Sequence, residues 1–245
     1  MTSRQGRLRD RIEIGDLTTV QRTLAAMHRH FCRTCQWITD HVERTEQNVV
    51  LFNLLSATSA YLGIAAHNLQ THASVLALAA RSLYELNVRS QHILGSDDRI
   101  NQWLSEALRD KIELLEGVLH LDSASEQGHE RAILRDEIGR LESLAAKYQL
   151  PALKRIPSTA AIAESVGRSD EHKALFKLFS KIIHPSAYLV NDYQNAASEQ
   201  VLIVLQVHAQ MYAWDTFYRI SDALGVPETL RTLPNERAEA SPETE

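Results

Sequence analysis

Apolar positions along this chain recur at intervals of three and four, the period of a helix, and not at the alternation of a strand. In residues 98–121, Ile100, Trp103, Leu104, Leu108, Ile112, Leu115 and Leu119 fall on one face. In residues 130–148 the stripe is Ile133, Leu134, Ile138, Leu141 and Leu144. The same reading predicts a helix from Asp16 or Thr18 to about Arg44, and helical structure over residues 47–94 with a break between Gly63 and Thr71. Further helices are predicted over residues 160–166, from Ser169 or Asp170 to Ile183, and from Ser198 to Leu224. Residues 73–94 are apolar over most of their circumference. That places them in the middle of a bundle, with Leu76, Leu83 and Leu86 buried.

The expected fold is therefore all-α, a single elongated bundle of about six to nine helices without a sheet, over residues 1–233. Composition agrees: 245 residues carry only 9 Gly and 6 Pro, too few turn formers for a sandwich or barrel. Residues 234–245 have no apolar period and read as a disordered acidic tail. The loop at residues 123–128 and the Pro-bearing segment 150–159 are the main interruptions.

A net charge of −5 argues against a general nucleic-acid binder and leaves room for a local basic site. No secretory leader and no run of about 18 uninterrupted apolar residues is visible, so a cytoplasmic protein without a membrane span is expected. The two cysteines, Cys32 and Cys35, exclude a disulfide framework. On one helix face with His28 they look like ligands, but His28 and Cys35 are about 10 Å apart along the axis. Small thiols on a core face are the better reading, and no metal or cofactor is expected.

One constellation carries chemistry. In residues 170–184, Leu175, Phe176, Phe179, Ile182 and Ile183 share a face, opposite Lys173, Lys177, Lys181 and His184. Half of the protein's six Lys stand on that ridge. Pro185 forces His184 out of the helical conformation and fixes it at the exit. A basic ridge ending in His suits phosphate or another anion. Arg81 and Glu85, one turn apart on an apolar helix, need either solvent or a polar partner. His184 is the partner expected, in a cluster with Arg81 and Glu85 that also takes in Lys177, Ser180 and Ser186.

The stretch A-R-S-L-Y-E-L around Arg81 and Glu85, followed by F-K-L-F-S-K-I-I-H-P-S from Phe176 to Ser186, resembles an all-helical bacterial family of unknown function. The resemblance spans about residues 47–224. It implies a shared site at Arg81, Glu85, Ser180 and His184, and no reaction. More distantly, the chain resembles the helical HEPN superfamily, whose R-x(4–6)-H motif implies metal-independent ribonuclease activity. The motif spacing occurs here only at Arg22 and His28, where about three chance matches are expected.

Two functions are thus in view. The first is a binding or effector-accessory module, with a polar cleft for an anionic ligand or a partner segment. The second is a HEPN-like ribonuclease of a stress or phage-defence system. The partners expected are a phosphate-bearing ligand or RNA at the basic ridge, with room for a homodimer or protein partner.

Overall fold

A computed structural model describes residues 8, 10–121, 128–152 and 155–232. The expected tail and most of the loop at residues 123–128 lie outside the described residues. Helix α1 spans Leu17–His41, α2 Glu46–Asn68, α3 Ala73–Ile93, α4 Asp98–Leu121 and α5 Gly128–Lys147. They are followed by α6 Thr159–Ser165, α7 Ser169–Ile183, α8 Ala187–Asn191, α9 Tyr193–Ala196 and α10 Glu199–Ala223. No strand occurs among the described residues, so the all-α expectation holds. The short α8 and α9 fall between Pro185 and Ser198, where apolar spacing is too brief to announce a helix.

The chain divides into two compact units. One comprises residues 1–91 and 159–245, the other residues 92–158. In the smaller unit α4 packs on α5. Lys111 Nζ pairs with Glu137 Oε1 across them at 2.7 Å, and Arg140 Nε reaches Glu137 Oε2 at 2.6 Å.

In the larger unit α2 packs against both α1 and α10. This explains its composition: Val50, Leu51, Leu54, Leu55 and Leu62 are all buried. By length and composition alone α2 could cross a membrane, with a mean hydropathy of 1.7 in its most apolar window, but 56% of that window is buried within the protein. The apolar character follows from its central position. In α3, Leu76 and Leu83 are buried as expected, whereas Leu86 is half-exposed.

Local chemistry sets the boundaries that matter for the site. Asp16 caps α1 by accepting from the backbone N–H groups of Thr18 and Thr19, each at 3.0 Å. Gly167, at φ 75°, ends α6 in the left-handed conformation that glycine tolerates. The Arg168 N–H then closes back on the Ala163 carbonyl at 2.7 Å. This turn delivers Arg168, not Ser169 or Asp170, to the N-cap of α7. At the other end His184 leaves the helix extended (φ −88°, ψ 152°), as a residue before proline must.

Candidate functional site

Helix α3 presents Arg81 and Glu85 one turn apart, and they pair: Arg81 Nε donates to Glu85 Oε1 at 2.7 Å. Both remain partly exposed, at 25% and 35%. The Arg81 guanidinium also lies over the ring of Phe176 on α7, 4.7 Å from its centroid. Such a cation on an aromatic face is worth about 0.5–1 kcal/mol at exposed sites. Behind Phe176 the rings continue inward. His172 lies 5.3 Å from Phe176 and 5.9 Å from Tyr84 of α3, and Tyr84 packs edge-on to Tyr212 of α10 at 5.1 Å. Arg81 thus meets the later residue of α7 and Tyr84 the earlier one, so the two helices run antiparallel here.

The imidazole that meets the Arg81–Glu85 pair is therefore His172. Burial holds it below its ordinary pKa, while Glu85 raises and Arg81 lowers it by their charges. His184, assigned to this role from the sequence, stands eight residues beyond Phe176, about 12 Å further along the helix axis. It is exposed at the helix exit.

Below the ring ladder lies a polar network across α3, α7 and α10. Glu171 accepts from the Tyr212 hydroxyl and from Arg168 Nη1, the latter at 2.9 Å. Arg168 Nη2 is 3.9 Å from Asp215 Oδ2. That same oxygen accepts from Arg219 Nε at 2.8 Å, Asn87 Nδ2 at 2.9 Å and Gln91 Nε2 at 3.3 Å. Three guanidiniums (Arg81, Arg168, Arg219) and three carboxylates (Glu85, Glu171, Asp215) balance. Asp215 is nearly buried, and its partners offset the cost of removing a carboxylate from water. Burial pushes the Tyr84 hydroxyl up to about 12, with Glu171 adding to the effect. The Tyr212 hydroxyl is pushed up as well, by burial and then by its bond to Glu171.

The outer side of α7 has a different character. Lys173, Phe176, Lys177, Lys181 and His184 are exposed and Ser180 is half-buried. On a helical wheel they form one continuous arc from Phe176 round to Lys181, with Ser180 and His184 inside it. Phe176, placed by the sequence on the anchoring apolar face, is 41% exposed and forms the border where Arg81 rests. The carboxylate in this arc is Asp170, 3.7 Å from Lys173 Nζ. Ser186 plays a local part: its hydroxyl accepts from the Leu189 N–H at 3.2 Å and donates to the Lys181 carbonyl at 2.8 Å. It caps α8 and ties it to the last turn of α7.

Of the residues named from the sequence, the structure brings Arg81 and Glu85 together, puts Lys177, Ser180 and His184 on one arc, and uses Ser186 as a cap. Sequence reasoning missed Tyr84, Asn87, Arg168, Glu171, His172, Tyr212 and Asp215. The signal for some of them was the one applied to Arg81 and Glu85. Asn87 and the Asp215–Arg219 pair are polar positions on otherwise apolar helices, which must find partners.

Elsewhere, His28 Nδ1 is 2.8 Å from the Ser59 carbonyl, its ring seated against Gly63, where an added Cβ would come within 3.1 Å. Arg22, six residues earlier on α1, bonds Thr19, so the two residues of the R-x(4–6)-H spacing serve separate local contacts. Cys32 is exposed and only Cys35 is half-buried, which corrects the expectation of two core thiols. Burial raises the Cys35 thiol to about 12. Among the described residues no group of three or more His, Cys, Asp or Glu side chains could hold a metal. Two hollows, of about 180 Å³ beside Val42 and Phe52 and about 420 Å³ beside Arg11 and Thr23, are lined by other residues. The candidate chemistry lies on a helix face.

Fold and site together define an all-helical protein with a charge-balanced internal network beneath a cation-bearing helix face. The chain belongs to the Family of unknown function (DUF5677), whose sequence profile matches residues 49–200. The match takes in α3, both motifs around Arg81 and His184, and the whole of α7, and ends as α10 begins. Comparison with curated proteins and with solved structures gives no match.

Proposed function

We propose that this protein is a binding module, and that the outer arc of α7, edged by Arg81, holds a phosphate-bearing anionic ligand. The observation that carries the reading is the arrangement of Lys173, Lys177, Lys181 and His184 on one exposed arc, with the Arg81 guanidinium fixed at its border by Glu85 and Phe176. Arg81 held in this way has lost part of its side-chain freedom before a ligand arrives, which lowers the cost of binding. Titration calorimetry with inorganic polyphosphate tests the proposal. Binding that weakens in Lys177→Gln and His184→Ala, with melting temperature unchanged, supports it. Absence of binding at millimolar polyphosphate in low salt rejects it.

A second reading, the HEPN-like ribonuclease, draws on Arg168 and His172, one turn apart at the start of α7 and adjacent to Tyr84 and Glu171. Cleavage of single-stranded RNA in the presence of a chelator, lost in His172→Ala and leaving cyclic phosphate ends, would favour it over simple binding. Intact RNA after prolonged incubation at micromolar protein would remove it.

A further inference from the structure

Three large aromatic side chains are exposed in and just after α7. Phe176 is 41% exposed, Tyr188 of α8 42% and Tyr193 of α9 45%. An aromatic ring in water is not unusual singly, but these occur in a short run of chain that also carries the Lys arc. The local connections keep that run together. Ser186 anchors α8 to the Lys181 carbonyl, α8 packs on α7, and α9 packs on α8. Phe176 is moreover held in place, with Arg81 on its face and the His172 ring at 5.3 Å.

Cations and exposed rings on one short stretch of chain call for a ligand with both charge and flat apolar faces. A free phosphate or a polyphosphate chain would use the Lys arc and leave the rings idle. A duplex would hide its bases from them. A single-stranded nucleic acid supplies a phosphate on every nucleotide, and unpaired bases that stack on aromatic faces with little regard to sequence. The arc from Lys173 to His184 is about 16 Å long by helical rise, the reach of a few extended nucleotides. Asp170 stands at the amino end of the arc, paired with Lys173, and so biases the strand toward Phe176, Lys177, Lys181 and His184.

We infer that the outer face of α7 and the adjoining α8–α9 segment bind single-stranded nucleic acid, with Lys177, Lys181 and Arg81 contacting phosphates and Phe176 and Tyr188 stacking bases. This rests on the anion-binding reading above and specifies its ligand. Two consequences follow from the chemistry. Affinity falls with salt, with a log–log slope of about −2 for three phosphate contacts on a single strand, and each Lys→Gln change makes that slope shallower by about 0.7. Removing a stacking ring weakens binding without altering the slope, by about 5- to 150-fold per base.

The test is fluorescence anisotropy with a labelled twelve-nucleotide uridine RNA and its thymidine DNA counterpart, competed by inorganic polyphosphate of similar charge. Phe176→Leu is used beside Phe176→Ala, because leucine keeps apolar contact with His172 while deleting the ring; Tyr188→Ala is the second site. Melting temperatures verify that each variant is folded. Binding of the oligonucleotide that is weakened in Phe176→Leu and Tyr188→Ala at constant salt slope, with polyphosphate a poor competitor, is the expected result. If polyphosphate competes as an equal and the ring variants bind normally, the stacking inference is overturned while the anion site stands. If neither probe binds, both are overturned.

Discussion

His30 offers the sharpest quantitative test of the packing. It is 3% exposed on α1, among Phe31, Trp214 and Phe217, with ring centroids 5.2–6.3 Å away. Its Nε2 has no hydrogen-bond partner among the described residues. Burial lowers its pKa from 6.5 to about 4, with Arg33 and Arg11 adding repulsion. The native state thus keeps His30 neutral, while the unfolded chain takes up a proton below about 6.5. Stability from this group is fully present above pH 6.5 and is lost as pH falls toward 4, by at most about 1.4 kcal/mol per pH unit and about 3 kcal/mol in all. Urea unfolding of the wild type and of His30→Phe between pH 7.5 and 4 measures the difference. The variant keeps an aromatic ring in the cluster and has no proton to gain, so wild-type stability should fall relative to that of the variant, by up to about 3 kcal/mol, as pH falls to 4. Parallel curves over that range would show that His30 is not kept neutral by burial, and the packing argument for α1 on α10 would fail with it. The Glu137 carboxyl, lowered to about 2 by its bonds to Arg140 and Lys111, loses its contribution only below about pH 4.5, as it protonates.

Three further outcomes are expected. Leu83→Ala, at a fully buried position of α3, should cost about 2–5 kcal/mol in urea unfolding; a loss below about 1 kcal/mol would place that helix at the periphery. Asp215→Ala removes the shared acceptor of Asn87, Gln91 and Arg219 and should cost about 3–5 kcal/mol, whereas Asp170→Ala on the exposed arc should change stability by less than about 0.5 kcal/mol. Cys32 should react with iodoacetamide in the native protein well before Cys35, whose thiol is raised to about 12 by burial; equal rates by mass spectrometry would contradict the orientation of α1.

Much of the fold was legible because long helices advertise themselves twice, by period and by punctuation. Asp16, Gly167, Pro185 and Ser198 each mark a boundary that the structure places within a residue or two of expectation. Two kinds of feature were not legible. Residues 187–196 form two helices of five and four residues, too short for a repeat of 3.6 to register. The division into two units is only half announced: its second boundary, at residue 158, falls in the Pro-bearing segment 150–159, whereas α3 runs across the first, at residue 91, without a break. Residues 73–94 do lie in the core as their composition suggested, with Leu76, Ala77, Ala80 and Leu83 fully buried, and α2, packed against α1 and α10, is a second buried helix beside the expected one.

The site shows why sequence found the right helices and the wrong histidine. That Arg81 and Glu85 need solvent or a polar partner follows from their place on an apolar helix, and α7 is the element that meets them, with the ring of Phe176 against Arg81. Which residue of α7 does so depends on the direction and register of packing, and neither is encoded in local spacing. His172, Phe176, Ser180 and His184 follow one another at intervals of four, so each in turn lies near the same ridge and any could have met Arg81. Antiparallel packing with Arg81 on Phe176 selects His172 for the interior and sends His184 out. The same register separates two roles that the sequence merged. Polar groups at the start of α7, Arg168, Glu171 and His172, bind the helix to α3 and α10. Polar groups of the later turns, Lys177, Lys181 and His184, have the bundle behind them and solvent in front. A substitution in the first group should therefore be read out in stability, and one in the second in ligand affinity. Arg81, which touches both, is the position where the two measurements must be made together.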